Sequence, residues 1–308
     1  MIANTALNVF AKDNNIAGLT EHSLQAIMDQ QPGYSIDNAH QFLRFQQRIN
    51  AELLHHRVIT NNEYCAWFEK GKISEAQLTD FVVQFSTFSN LFLIAQLKKT
   101  INADSIESMR ASKEILANEI GVVFKSSHKN PSATDQDDNP EIVSIEGSVE
   151  GGAFHFKAAH FEWLLKMAEK LGLSFNDIGK RNHGSTSTLF FCDELSRLYG
   201  SEDYMTSQAS SYAVENWAAA GFWDQLVKGF EAYNFLNDAE LPLGFFTWHA
   251  KIEAQHAAHT QEELEELYFS RYIDEDKFIY DGNEMLEGVA AFWDGLEANR
   301  KKLAGYKQ

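Results

Sequence analysis

In the last quarter of the chain, the run Leu243-Gly-Phe-Phe-Thr-Trp-His249-Ala-Lys-Ile-Glu253-Ala-Gln-His256 sets two histidines and a carboxylate four and then three residues apart. On an α-helix these three side chains fall within about 60° of one another. Phe245, Phe246, Ile252 and Ala257 flank them, while Thr247, Lys251 and Gln255 point away. The polar trio therefore stands in the middle of an apolar face, where a charge without a partner is costly. A metal ion would neutralise it directly, and its remaining ligands must come from other helices meeting the same face. A chain with this run is expected to be a helical bundle whose interior holds polar groups.

The rest of the sequence keeps the helical period. Ser74-x-x-Gln77 has the form of a capping box and opens a helix of about 25 residues, with a stripe of Leu78, Phe81, Phe85, Phe88 and Phe92 that reads as core packing. Only four prolines occur, and no strand-rich stretch with regular turn signals is present, so the expected class is all-α. Residues 1–34 are loosely patterned. Further helices are expected at 36–57, 105–124, 153–171, 187–199, 203–235, 243–259, 261–271 and 276–302, with Thr260-x-x-Glu263 read as a second capping box separating two of them. Ser126 to Gly152, with two Asn-Pro pairs and Asp135-Gln-Asp-Asp138, reads as a long, polar and mobile insertion. The 308 residues suffice for one large domain or two small ones. The net charge of −18 argues against nucleic acid and anionic membrane as partners. The longest apolar stretch, around 90–97, is too short to span a bilayer. Two cysteines, Cys65 and Cys192, fit a reducing compartment, and the first ten residues lack a basic region and long apolar run, so a cytoplasmic setting is expected.

Three more polar residues sit inside apolar stripes. Glu119 shares a face with Ile115, Leu116, Val122 and Val123; His160 with Phe156, Trp163, Leu164, Met167 and Leu171; Glu215 with Tyr212, Ala219, Phe222, Leu226 and Phe230. His155 points almost opposite to His160, and His259 lies about 80° off the face of His249. No cation lies on the Glu215 face of its own helix to pair with it. His128 falls in the polar insertion, and Cys192 after Phe190-Phe191 reads as a small buried hydrophobe. The candidate ligand set is Glu119, His160, Glu215, His249, Glu253 and His256. Three imidazoles and three carboxylates suit two iron or two manganese ions better than a structural zinc.

In this order the residues resemble the heme-oxygenase-like diiron oxidases and oxygenases. Asn118-Glu119-Ile120-Gly121 resembles that family's Glu-x-Gly stretch, and His160-Phe-Glu-Trp-Leu164 with Lys170-Leu-Gly-Leu173 its His-x-x-Leu segment ending in Leu-Gly-Leu. Tyr212-Ala-Val-Glu215 resembles its third ligand helix, and His249-x-x-x-Glu253-x-x-His256 its closing motif, with Glu where many members have Asp. The resemblance covers roughly 75–300. It implies a bundle of about seven core helices, with 61–308 as the diiron domain; residues 1–60, expected as an N-terminal helical extension, are not explained by it. It further implies two iron ions (manganese the alternative), dioxygen as co-substrate, a small-molecule substrate and an external electron donor; a homodimer is left open. The long segment between Glu119 and His160 resembles the N-oxygenating branch and makes Glu150 the candidate for a seventh ligand, with Glu146 behind it. The expected activity is N-oxygenation of a small amine or amino-acid-like metabolite in specialised-metabolite biosynthesis, with oxidative C–C cleavage or desaturation of an amino acid or fatty acid as the alternative. A ferritin-like site is disfavoured. Glu52-Leu-Leu-His55 and Glu253-Ala-Gln-His256 both fit its Glu-x-x-His string, but one of them precedes both lone glutamates. A non-catalytic helical interaction protein is the alternative of another class, and it would bind no metal.

Overall fold

The computed structural model describes residues 2–124, 145–146, 154–156 and 159–305, and side chains within these outside 2–5, 107, 123–124, 145–146, 154–156 and 252–260. Thirteen α-helices lie among them: α1 (Ile2–Asp13), α2 (Glu21–Met28), α3 (Ile36–Glu52), α4 (Arg57–Thr60), α5 (Glu63–Phe68), α6 (Glu75–Ile101), α7 (Ile106–Glu119), α8 (His160–Lys170), α9 (Thr186–Glu194), α10 (Tyr204–Ala218), α11 (Phe222–Asn237), α12 (Gly244–Ser270) and α13 (Glu275–Gly305). The starts follow local chemistry. Thr20, Ser35, Asn62, Ser105, Ser185 and Asp203 each accept a hydrogen bond from a backbone N–H of the first turn, and Ser74 with Gln77 forms the expected reciprocal capping box.

Several boundaries differ from the sequence expectation. The helix expected over 105–124 ends at Glu119, because Gly121 takes φ 71° and its N–H returns to the Asn118 carbonyl. The chain then enters β1 (Val122–Phe124), which pairs antiparallel with β3 (Phe154–Phe156); β2 (Ile145–Glu146) pairs with the other edge of β3. These strands replace the start of the helix expected from 153, and at two to three residues each they are too short to carry a period-2 signal. Apart from β2, the insertion expected at 126–152 lies outside the described residues. The helix expected over 203–235 is two helices, broken where Gly221 adopts φ 91°. The two helices expected over 243–271 are one, because Thr260-x-x-Glu263 sits inside the continuous α12. The helix after Ser185 passes into a π-helical turn, Leu195–Tyr199, before Gly200.

The core is built on α6. Phe81 and Phe85 of its stripe are fully buried, with Phe88 and Phe92 partly so. Around them α7, α8, α9 and α13 pack against α6, and α10 lies against α13. A ring-on-ring cluster fills the centre, with Phe81 touching Tyr64, Phe68, Phe230 and Phe246 at centroid separations of 4.9–6.1 Å. By length and hydropathy alone α6 could cross a membrane, a property the shorter apolar stretch read from the sequence understated. Its first half lies at the centre of the bundle, where Leu78, Phe81, Val82 and Phe85 are buried, whereas Ile94, Leu97 and Ile101 near its end are exposed. Helices α5 and α11 approach closely through Gly229, where an added Cβ would lie 2.4 Å from the Phe68 carbonyl oxygen. The first two helices join the same core through Leu7, Ala11, Leu24 and Ile27.

Candidate metal centre

Three of the polar residues singled out in the sequence meet at one point, each delivered by a helix end. Glu119 is the last residue of α7, His160 the first of α8, and His249 lies in the second turn of α12. One donor atom from each lies within 4.8 Å of the other two. The Oε2 of Glu119 is 2.8 Å from Nδ1 of His160, and the two imidazole rings are 4.8 Å apart. Two donors each about 2.1 Å from one ion and set at right angles stand about 3 Å apart, so the Glu119–His160 pair has the spacing of neighbouring ligands. Both histidines are buried and Glu119 is half-buried. Nδ1 of His249 donates to the carbonyl of Phe245 at 2.7 Å, which leaves the lone pair on Nε2. A backbone acceptor on one ring nitrogen is how proteins fix the tautomer of a ligating histidine. Donor set, spacing and tautomer all fit a transition-metal ion, and the carboxylate favours iron or manganese over a purely thiolate- or imidazole-loving metal.

Aromatic rings wall the centre. Trp223 stacks on His249 with centroids 4.5 Å apart and planes 18° from parallel, and Phe245 sits 4.2 Å from the same ring. Trp163 and Trp248 flank His160 at 5.3 and 4.8 Å. The indole N–H groups of Trp163 and Trp223 are buried and have no acceptor among the described residues.

The other predicted residues lie as follows. Glu215 is on α10, half-buried and outside the group within 4.8 Å. Glu253 and His256 occupy α12 one and two turns beyond His249, and their side chains lie outside the described residues, as does that of His259. Glu150 and His128 lie wholly outside them. His155 and Glu146 are opposite each other in the β2–β3 ladder, so His155 belongs to a strand and not to the helix that starts with His160. Cys192 is buried as expected, its thiol pushed up to about 12 by burial, with Asp193 adding to the effect.

Sequence reasoning missed Lys99. Its ammonium donates to Ser211 Oγ and lies 4.4 Å above the Tyr199 ring. Burial pulls this ammonium below its ordinary value, against the opposing influence of Glu215 and Glu263. Tyr199 is pushed well above the usual phenol range, first by burial and then by Glu215. It comes from the π-helical turn, a feature frequent at functional sites. A cation does therefore face the neighbourhood of Glu215, supplied by α6 and not by the helix of Glu215 itself. The only hint in the sequence was a lysine pair at the end of an apolar helix.

Solved structures with the same arrangement of helices settle the fold. The chain has the heme-oxygenase-like helical fold. A domain of unknown function with a heme oxygenase-like fold from Shewanella denitrificans OS217 superposes with a TM-score of 0.56 at 14% identity, over 85% of this chain and 94% of that one. A CADD-like protein of unknown function from Nostoc punctiforme PCC 73102 superposes with a TM-score of 0.52 at 16% identity, over 86% of this chain and 99% of that one. Identities this low speak for the fold alone. No family model and no curated protein matches the sequence.

Proposed function

We propose that the chain is a non-heme diiron oxygenase or oxidase that oxidises a small amine or amino-acid-like metabolite, with N-oxygenation as its reaction. The observation that carries this reading is the convergence of Glu119, His160 and His249 from three separate helices into one buried group of donors. Glu215, Glu253 and His256 would complete two metal sites, and Glu150 is the candidate seventh ligand. The metal pair, when bound, would supply the redox chemistry that activates dioxygen. The chain's own part is to hold and to exclude. Phe245 fixes His249 through its carbonyl, and the ring stack of Trp223, Phe245 and Trp248 keeps bulk water from the histidines. The unsatisfied indole N–H groups of Trp163 and Trp223 are placed to donate to oxygen atoms of a bound molecule. An external electron donor and a cytoplasmic setting belong to the same proposal.

The test is metal analysis of the purified protein, followed by anaerobic loading with ferrous iron and measurement of dioxygen consumed per chain in the presence of amines and amino acids. Two irons per chain and substrate-dependent oxygen uptake support the proposal, and product mass separates N-oxygenation (gain of oxygen, carbon skeleton intact) from C–C cleavage. A protein that takes up no iron, or that carries one tightly held heme, excludes it.

A further inference from the structure

We infer that Lys99 anchors a carboxylate of the substrate, so that the preferred substrates are carboxylic acids whose reacting end lies several bonds from the acid group; this rests on the metal-centre reading above. A half-buried ammonium normally has a carboxylate in ion-pair contact, because a charge largely removed from water is expensive to leave uncompensated. Among the described residues no carboxylate reaches Lys99 at that range. Its contacts are one hydroxyl, Ser211 Oγ, and the face of Tyr199. Glu215 and Glu263 influence it from farther away. An ammonium has three donors, and one hydroxyl and one ring leave capacity for an anion.

The surroundings are held rigid. The Tyr199 hydroxyl donates to Gln96 Oε1 at 2.8 Å, and Gln96 Nε2 donates to the Ser112 carbonyl at 2.9 Å. The ring beneath Lys99 is thus fixed to α6 and α7, and a preorganised cation binds an anion without an ordering cost. Placement along the helices sets the length of the ligand. Ser211, the hydroxyl in contact with Lys99, is one turn before Glu215 on α10, about 6 Å of helix rise. An acid group held at Lys99 would leave the other end of a molecule of that span beside the candidate ligands.

The experiment is a ladder of unbranched ω-amino carboxylic acids of increasing chain length, against matching alkylamines without the acid group. Affinities are measured by calorimetry on the anaerobic iron-loaded protein, for wild type, Lys99→Met and Lys99→Arg, with iron content and thermal midpoint recorded for each. Wild type should bind acids more tightly than amines, with an optimum at intermediate chain length. Lys99→Met should weaken acids roughly 30-fold, the cost of losing one hydrogen bond to a charged group, and leave amines within about twofold. Lys99→Arg should keep part of the preference, with iron content unchanged. Equal binding of acids and amines by wild type overturns the inference whether or not the variants fold, as does a Lys99→Met protein that loses both series alike. The metal reading fails separately, through absent iron.

Discussion

Replacing Glu265 should loosen the N-terminal helices from the helix that carries His249, and the size of the effect can be worked from the contacts. Glu265 is fully buried on α12. Its carboxylate accepts from Thr20 N at 3.0 and 3.2 Å, from Thr20 Oγ1 at 2.6 Å and from Gln261 Nε2 at 2.9 Å. Thr20 is itself the N-cap of α2. One carboxylate thus ties residues more than 240 positions apart. A hydrogen bond to a charged group contributes about 1.5–3 kcal/mol. The three donors share one acceptor and Gln261 can turn to water, so Glu265→Ala should cost about 3–4 kcal/mol, less than their sum. At about 2 °C per kcal/mol for a chain of this size, the thermal midpoint should fall roughly 6–8 °C. The decisive quantity is the coupling. Thr20→Val alone should cost about 2 kcal/mol, part from the lost cap and part from the bond to Glu265. In a double-mutant cycle measured by urea unfolding, Thr20→Val and Glu265→Ala should couple by about 1 kcal/mol, the share of the Thr20 hydroxyl, since valine keeps the backbone N–H bond to Glu265. Additive effects within about 0.5 kcal/mol would refute the argument that this carboxylate is what fastens α2 to α12.

Three further outcomes are expected. His160→Ala and His249→Ala should each abolish iron loading while leaving a folded helical protein, as read by metal analysis beside circular dichroism; full iron content in either variant would remove that residue from the ligand set. Gly229→Ala should destabilise by roughly 2–3 kcal/mol, because the new methyl would lie 2.4 Å from the Phe68 carbonyl oxygen and force α11 away from α5; an unchanged urea midpoint would show that the helices can part freely. Cys192 should resist a thiol reagent at pH 8 in the folded protein and react at once in denaturant. Its folded-state value near 12 lies above that of an unfolded thiol, so the folded chain holds the proton that the unfolded chain releases, and this contribution to stability is complete below about pH 8.5 and is lost as pH rises toward 12. Fast labelling of the native protein would show the site to be open.

What the sequence made legible were features governed by one helix at a time. The Phe81–Phe92 stripe, the Ser74–Gln77 cap and the all-helical class are local: side-chain period and first-turn chemistry determine them, and they appear in the structure as read. The boundaries that moved are those where a residue beyond the helix decides. Gly121 and Gly221 take left-handed conformations that end helices the apolar pattern would have continued. Thr260 has a capping sequence but no chain reversal to cap, so α12 runs through it. The short strands became visible only through pairing between segments about thirty residues apart.

The same limit applies to the site, with an instructive asymmetry. Glu119, His160 and His249 could be found because each is polar inside an apolar stripe, a conflict that a single helix already displays. Which of these faces meet is not written in any one of them, and the structure brings these three together at helix ends. Lys99 is the converse case. Read on α6 alone, it is one of two lysines in the last turn, where cations complement the helix dipole and need no other purpose. Only packing turns it toward Ser211 and Tyr199. Polar residues on apolar faces reveal themselves in sequence, whereas a cation with an adequate local reason to exist does not. A proposed anchoring cation of this kind, unlike a candidate metal ligand on an apolar face, is therefore hidden from a reading of one helix at a time.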